Sequence, residues 1–164
     1  MYDNKYIHGL DLINENLNQY KEFVKDKVVF GGIILIGKIL DRGIIKNINL
    51  TDHTLRELAK MGHPYAKRNP QMIHTPEYLV HKQSGELRSS FYSYNYQDYI
   101  KNRTAHVAGV DENKAPHAKF VIMGTSKMVP RDFLGGTLQE KAQEMRDEFI
   151  NFMKKTRFRK AAKK

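Results

Sequence analysis

Seven histidines, three serines beside a glycine, a glycine pair ahead of a helix and three alternating tyrosines are the residues of this 164-residue chain best suited to chemistry. The histidines invite a metal, yet none forms His-Glu-x-x-His or another close helical pair. The tightest spacings are His53 to His63 and His74 to His81, whereas zinc sites use tight local ligand pairs. Ser84, Ser89 and Ser90 flank Gly85, but the Gly-x-Ser-x-Gly elbow that exposes a nucleophile at a strained turn is missing. Gly135-Gly136 precedes a helical pattern without the Gly-x-x-x-x-Gly-Lys-Ser/Thr run of a phosphate cradle. The sequence therefore assigns no catalytic residue, no metal ligand and no cofactor site, and the expectation is a protein that is not an enzyme.

Tyr92, Tyr94 and Tyr96 alternate with Ser93, Asn95 and Gln97, the spacing that puts successive side chains on opposite sides of a strand. Two uses fit such a face. Bases of single-stranded nucleic acid stack on aromatic strand faces, or the tyrosines pack against helices or a neighbouring subunit, where half-buried sheet surfaces and interfaces favour aromatics. The absence of a recognisable RNA-binding signature favours the second.

The formal charge is +10, but Lys154, Lys155, Arg157, Arg159, Lys160, Lys163 and Lys164 supply seven of those charges with no acid among them, leaving +3 for the body. Such a run has the composition of a disordered or loosely helical tail. It is either a solvated, solubilising end or a contact for a polyanion such as DNA phosphate. No cysteine is present, so disulfides and cysteine-held zinc are excluded. The longest apolar stretch, residues 28–40, is interrupted by Gly31, Gly32, Gly37 and Lys38 and is shorter than the roughly 20 residues of a membrane span. No membrane partner is expected. The first residues, with Asp3, His8 and Asp11, lack the apolar block of a secretory signal.

The elements that must position these residues follow from periodicity. Leu10, Ile13, Leu17, Tyr20 and Val24 recur at helical spacing, predicting an amphipathic N-terminal helix. Residues 28–48 are apolar on too many sides for a surface helix, so they run through the core or a subunit contact. Gly31-Gly32 marks either a break or a close helix crossing there. Thr51 or Asp52 is placed to cap a second, short helix, and Thr54 with Glu57 has capping-box spacing. Leu55, Leu58 and Ala59 form its inner face, and Gly62 with Pro64 stops it. A long loop follows through residues 63–83, rich in proline at its start. Residues 86–99 and 104–110 read as neighbouring strands, residues 111–116 as a turn and residues 120–123 as a third strand. Leu138, Ala142, Met145, Phe149, Phe152 and Met153 mark one face of a C-terminal helix.

The order of these segments resembles the neck and tail-completion proteins of long-tailed, double-stranded-DNA bacteriophages. Two motifs carry the resemblance: Ser84, Gly85, Leu87 and Ser90 entering a strand, then Gly124, Thr125, Met128, Pro130, Arg131, Phe133 and Leu134 before the last helix. Residues 131–135 are also similar to phage virion-morphogenesis proteins. The resemblance covers residues 50–153. It departs at Asp132, where the family commonly has proline, and in a longer loop at residues 63–70. It implies an α+β fold with a long N-terminal helix, a small antiparallel sheet of three to four strands and a C-terminal helix packed on the sheet. One domain would span residues 1–153: a helical part at 1–62, the loop at 63–83, and the sheet and last helix at 84–153. A basic tail at 154–164 follows.

The function implied is structural. A homo-oligomeric ring, six-fold by expectation, would sit at the head–tail junction of the virion and join the head connector to the tail, after assembly in the host cytoplasm. Packaged DNA is a further possible partner for the basic end. Two alternatives are a nucleic-acid-binding protein using that end and a tail-terminator or tail-tube subunit.

Overall fold

The computed structural model describes residues 15, 17–19, 28–61, 78–98 and 103–161 of the chain. The fold is α+β. Helix α1 (Phe30–Asn47) is half-buried or buried on nearly every side, as its all-round apolar sequence requires. Gly31 and Gly32 do not break it. They let the rings of Phe152 and Phe149 lie against the helix backbone, where a Cβ on Gly31 would come within 2.9 Å of the Phe152 ring. The alternative left open by the sequence is thus resolved as a close crossing. Of the expected N-terminal helix, Glu15 and Leu17–Gln19 are helical; the rest of residues 10–24 lies outside the described residues.

Helix α2 (Leu55–Met61) begins with the expected capping box. The Thr54 N–H and hydroxyl donate to Glu57 Oε2 at 2.7 and 2.8 Å, and the Glu57 N–H returns a 3.2 Å bond to Thr54 Oγ1. Its inner face is narrower than expected. Leu58 is buried, but Leu55 is 61% exposed and Ala59 is exposed. The stop at Gly62 and Pro64 and most of the 63–83 loop lie outside the described residues. Where the chain returns, the Val80 N–H donates to Asn47 O, and Leu50 exchanges backbone bonds with Val80 and Lys82. These form an isolated parallel bridge between Leu50 and His81.

One turn of helix, α3 (Glu86–Ser89), leads into an antiparallel hairpin of β1 (Phe91–Asp98) and β2 (Arg103–Val110). Phe91 pairs with Val110 and Asp98 with Arg103. The sheet has two strands among the described residues, fewer than the three to four expected. Residues 120–123, expected as the third strand, belong instead to helix α4 (Ala118–Met123). Its sidedness explains why: Ala118, Val121 and Ile122 turn inward while Lys119, Phe120 and Met123 are exposed, a spacing of three and four.

Helix α5 (Phe133–Ala161) closes the fold. The expected packing of this helix on the sheet is corrected: α5 lies along α1, and α1 is the element that faces the hairpin. The two helices run antiparallel, since Gly43 meets Thr137 and Lys141 while Gly32 meets Phe149. The buried stripe at the start of α5 is also shifted by one residue from expectation. Thr137 is fully buried and Leu138 is 49% exposed, because Gly43 admits the Thr137 methyl and Asn47 hydrogen-bonds its hydroxyl. The core unites Ile44, Ile48, Val80, Leu87, Ala115, Ala118 and Phe133, where the ends of α1, α3, α4 and α5 meet.

Candidate functional site

The two sequence motifs meet at this core. Gly85 adopts φ 88°, the left-handed region open to glycine, and turns the chain into α3. Leu87 is buried. Ser90 is 1% exposed; its hydroxyl donates to Leu87 O at 2.8 Å and its carbonyl accepts the Asp111 N–H at 2.9 Å. This fixes the start of β1 against the end of β2.

The second motif forms a hinge-like corner between α4 and α5. Gly124, at φ 73°, lies where a Cβ would meet Pro130 N at 2.8 Å and Met128 O at 2.9 Å. Thr125 closes the loop: its N–H donates to Met128 O at 2.9 Å, and its hydroxyl accepts the Met128 N–H at 3.0 Å. Arg131 is fully buried. Its N–H donates to Val121 O at 2.7 Å and its guanidinium to Leu79 O at 3.2 Å, tying the motif to the segment after the long loop. Asp132, where the resemblance expects proline, caps α5 by accepting the Gly135 N–H at 2.8 Å. Phe133 enters the core with no exposure, and Leu134 packs beside it. The motif residues therefore build the fold, and of them Leu134 also lines a groove of about 260 Å³ where β2, α4 and α5 meet.

Three polar clusters were not legible in the sequence. In the first, Asn47, 3% exposed, donates to Thr137 Oγ1 at 2.9 Å and Glu140 Oε2 at 3.0 Å, and the Tyr78 hydroxyl reaches the same oxygen at 3.0 Å. The Asn47 bond holds the Glu140 carboxyl below its usual range against the opposing effect of burial. Burial, then the bond to Glu140, pushes the Tyr78 hydroxyl up. In the second, His106 Nε2 lies 2.8 Å from Asp41 Oδ1, and the Ser93 hydroxyl donates to Asp41 Oδ2 at 2.8 Å. Serine, histidine and aspartate are near one another, but serine bonds aspartate, so the histidine is not placed to activate it as a base would. Gly37 gives the imidazole its space, and the cluster fastens the hairpin to α1.

In the third, His81 Nδ1 donates to Asp52 Oδ1 at 2.6 Å, with the His53 ring stacked at 5.1 Å. Burial raises the Asp52 carboxyl, but the bond and electrostatic attraction from His81 outweigh it and leave the group lowered. No group of three or more His, Asp or Glu among the described residues is arranged to hold a metal.

Two surfaces remain open. Tyr92, Tyr94 and Tyr96 are 46%, 53% and 47% exposed, on the face of the hairpin opposite the one through which Ser93 and His106 meet α1. Their cross-strand partners are Gly109, Val107 and Ala105, and the rings of Tyr92 and Tyr94 stack at 6.4 Å. The Asp98 charge pushes the Tyr96 hydroxyl up. At the basic end, helix α5 continues past residue 153 to Ala161. Lys154 and Lys155 are exposed on it, and the backbone of Arg157, Arg159 and Lys160 belongs to the same helix. Lys163 and Lys164 lie outside the described residues. No helix among the described residues is long and apolar enough to cross a membrane.

Comparison with family models, curated proteins and solved structures gives no match to this chain.

Proposed function

We propose that this chain is a structural virion subunit of a tailed bacteriophage, a neck or tail-completion protein that forms a ring between the DNA-filled head and the tail, and that it is not an enzyme. The observation that carries the proposal is the ordered pair of motifs, residues 84–90 and 124–134, whose glycines, buried Ser90, buried Arg131 and core Phe133 all serve one folded corner. In a scaffold subunit such a motif holds the fold while the outer surfaces make the contacts. The first two polar clusters support the same view, because each joins two elements of the fold. In this proposal residues 10–24 complete a long N-terminal helix, and the open tyrosine face is a surface for assembly.

The test is localisation and loss. Antibody or gold labelling of the C terminus should place the protein at the head–tail junction of particles, and its removal should leave filled heads and free tails. Absence from mature particles, with no accumulation of tailless heads on removal, would overturn the role. A second use, contact with DNA, is favoured by Lys154 and Lys155 standing exposed on a helix. A helical arm carries its charges along the helix faces at fixed spacing, which suits a phosphate track.

A further inference from the structure

We infer that the β1–β2 hairpin is a hinged arm. Its foot is fixed in the core, its outer half is held on α1 by a polar latch of Asp41, Ser93, Asn95 and His106, and release of the latch lets the arm swing off α1 as an intact hairpin. The inference goes beyond the ring-subunit reading and does not depend on it.

The two ends of the hairpin are attached by different chemistry. Strand alternation and the pairing register put Phe91, Ser93, Asn95 and Gln97, with Thr104, His106, Ala108 and Val110, on the face toward α1. At the foot that face is apolar. Phe91, Ala108 and Val110 pack against the core, and the Asp111 N–H donates to Ser90 O at 2.9 Å. Farther out the face turns polar, and Ser93 and Asn95 are exposed although they point toward the helix. Asp41 ties this half to α1: its Oδ1 lies 2.8 Å from His106 Nε2, and its Oδ2 accepts the Ser93 hydroxyl at 2.8 Å. Asn95 Oδ1, 3.0 Å from His106 Nδ1, orients the ring from the other side. The imidazole plugs into a socket one helical turn long, because Gly37, four residues before Asp41, has no Cβ to meet it.

Such a latch opens at lower cost than an apolar face. Its groups regain hydrogen bonds from water on release, so each bond contributes only a small net stabilisation, whereas parting the foot would expose core. Openings short of global unfolding are drawn from elements with few buried apolar contacts. The released arm keeps its own support on the opposite face. There Tyr92, Tyr94 and Tyr96 stand across from Gly109, Val107 and Ala105, the Tyr92 and Tyr94 rings stack at 6.4 Å, and cross-strand pairs of aromatic with β-branched residues stabilise a sheet without help from α1. Gly109 lies between the Phe91–Val110 and Ser93–Ala108 rungs. A glycine inside a strand weakens it at that point, and this one stands where the arm must bend.

The test is a pair of distances in the full-length chain, whose lack of cysteine makes introduced thiols unique labelling sites. Spin labels at Tyr96→Cys and Glu148→Cys report the arm against α5, and labels at Lys46→Cys and Glu148→Cys report α1 against α5; all three positions are exposed. Double electron–electron resonance should give one principal distance for each pair in the otherwise unchanged chain. His106→Ala should add a longer arm distance whose share is at least about tenfold above that before the change, the effect of losing a hydrogen bond to a charged group. Asp41→Ala, which removes the other side of the latch, should add the same distance. In both variants the α1–α5 distance and a cooperative thermal melt are retained. An arm distance left unchanged by either substitution would overturn the inference, because the latch would not be what holds the arm. Broadening of both distances together, or a variant that no longer folds, would overturn it as well, because hairpin and helices would then open as one unit.

Discussion

Replacing Asn47 with alanine tests whether the buried polar cluster, and not apolar contact alone, fixes the register of α5 on α1. Asn47 is 3% exposed and donates to Thr137 at 2.9 Å and Glu140 at 3.0 Å. A neutral hydrogen bond contributes about 1 kcal/mol and one to a charged group about 1.5–3 kcal/mol. The Glu140 side chain is 34% exposed and keeps the Tyr78 hydroxyl, so water and Tyr78 recover part of the loss and the charged bond is worth about 1 kcal/mol here. Alanine's helix propensity offsets about 0.5 kcal/mol, and the small cavity removes about as much. The net loss is about 2 kcal/mol, equivalent to roughly 4–8 °C in Tm.

The loss also depends on pH. Asn47 lowers the Glu140 carboxyl from its ordinary 4.5. A depressed folded-state pKa gives stability that is full above the ordinary value and disappears as pH falls through the folded one. The variant loses much of that depression, so its difference from the parent chain shrinks on acidification. Urea denaturation at neutral pH and below the ordinary carboxylate range reads both effects. A loss under about 0.5 kcal/mol, the range of inert surface changes, or one identical at both pH values, would refute the argument.

Three further outcomes are expected. Gly32→Leu drives a side chain into the Phe149 ring, which already lies 2.7 Å at Cδ2 from where a Cβ would stand; overpacking should destabilise by about 1–3 kcal/mol in urea melts. Gly124→Ala places a Cβ against Pro130 and Met128 backbone at φ 73°, and should lower stability by about 1–3 kcal/mol, whereas alanine at exposed Ser126 should change little. If the chain binds DNA, changing Lys154 and Lys155 to glutamine should reduce the slope of log affinity against log salt by roughly 2, measured by fluorescence anisotropy; an unchanged slope removes both lysines from the contact.

Local signals were the most legible. The Thr54 and Glu57 capping box, the alternation in β1 and the entry of the last helix each depend on residues within a few positions of one another, so sequence spacing contains most of the information. Residues 120–123 show where this fails. A four-residue apolar run suits a strand or a buried helix equally, and only the inward turn of Ala118 decided for helix. Asp132 broke the resemblance as a residue type, yet it meets the same local need by capping the helix. The candidate surfaces were partly legible: the tyrosine stripe was visible, but the groove depends on β2, α4 and α5 meeting. Asn47 and Glu140 are 93 positions apart, and no spacing rule connects them.

The glycines that let α1 accept close neighbours on two sides also bear on the order in which the chain folds. Four of them, at positions 31, 32, 37 and 43, make α1 less favourable as an isolated helix by about 4 kcal/mol relative to alanine. In α5 the only glycines, 135 and 136, are confined to the first turn. Helix α5 is therefore expected to form earlier than α1, which becomes helical only as it packs against α5 and the hairpin. Exposed alanine-to-glycine scanning should then give φ-values near one along α5 and near zero along α1. On this account the central helix of the native fold owes its helicity to the neighbours that pack on it.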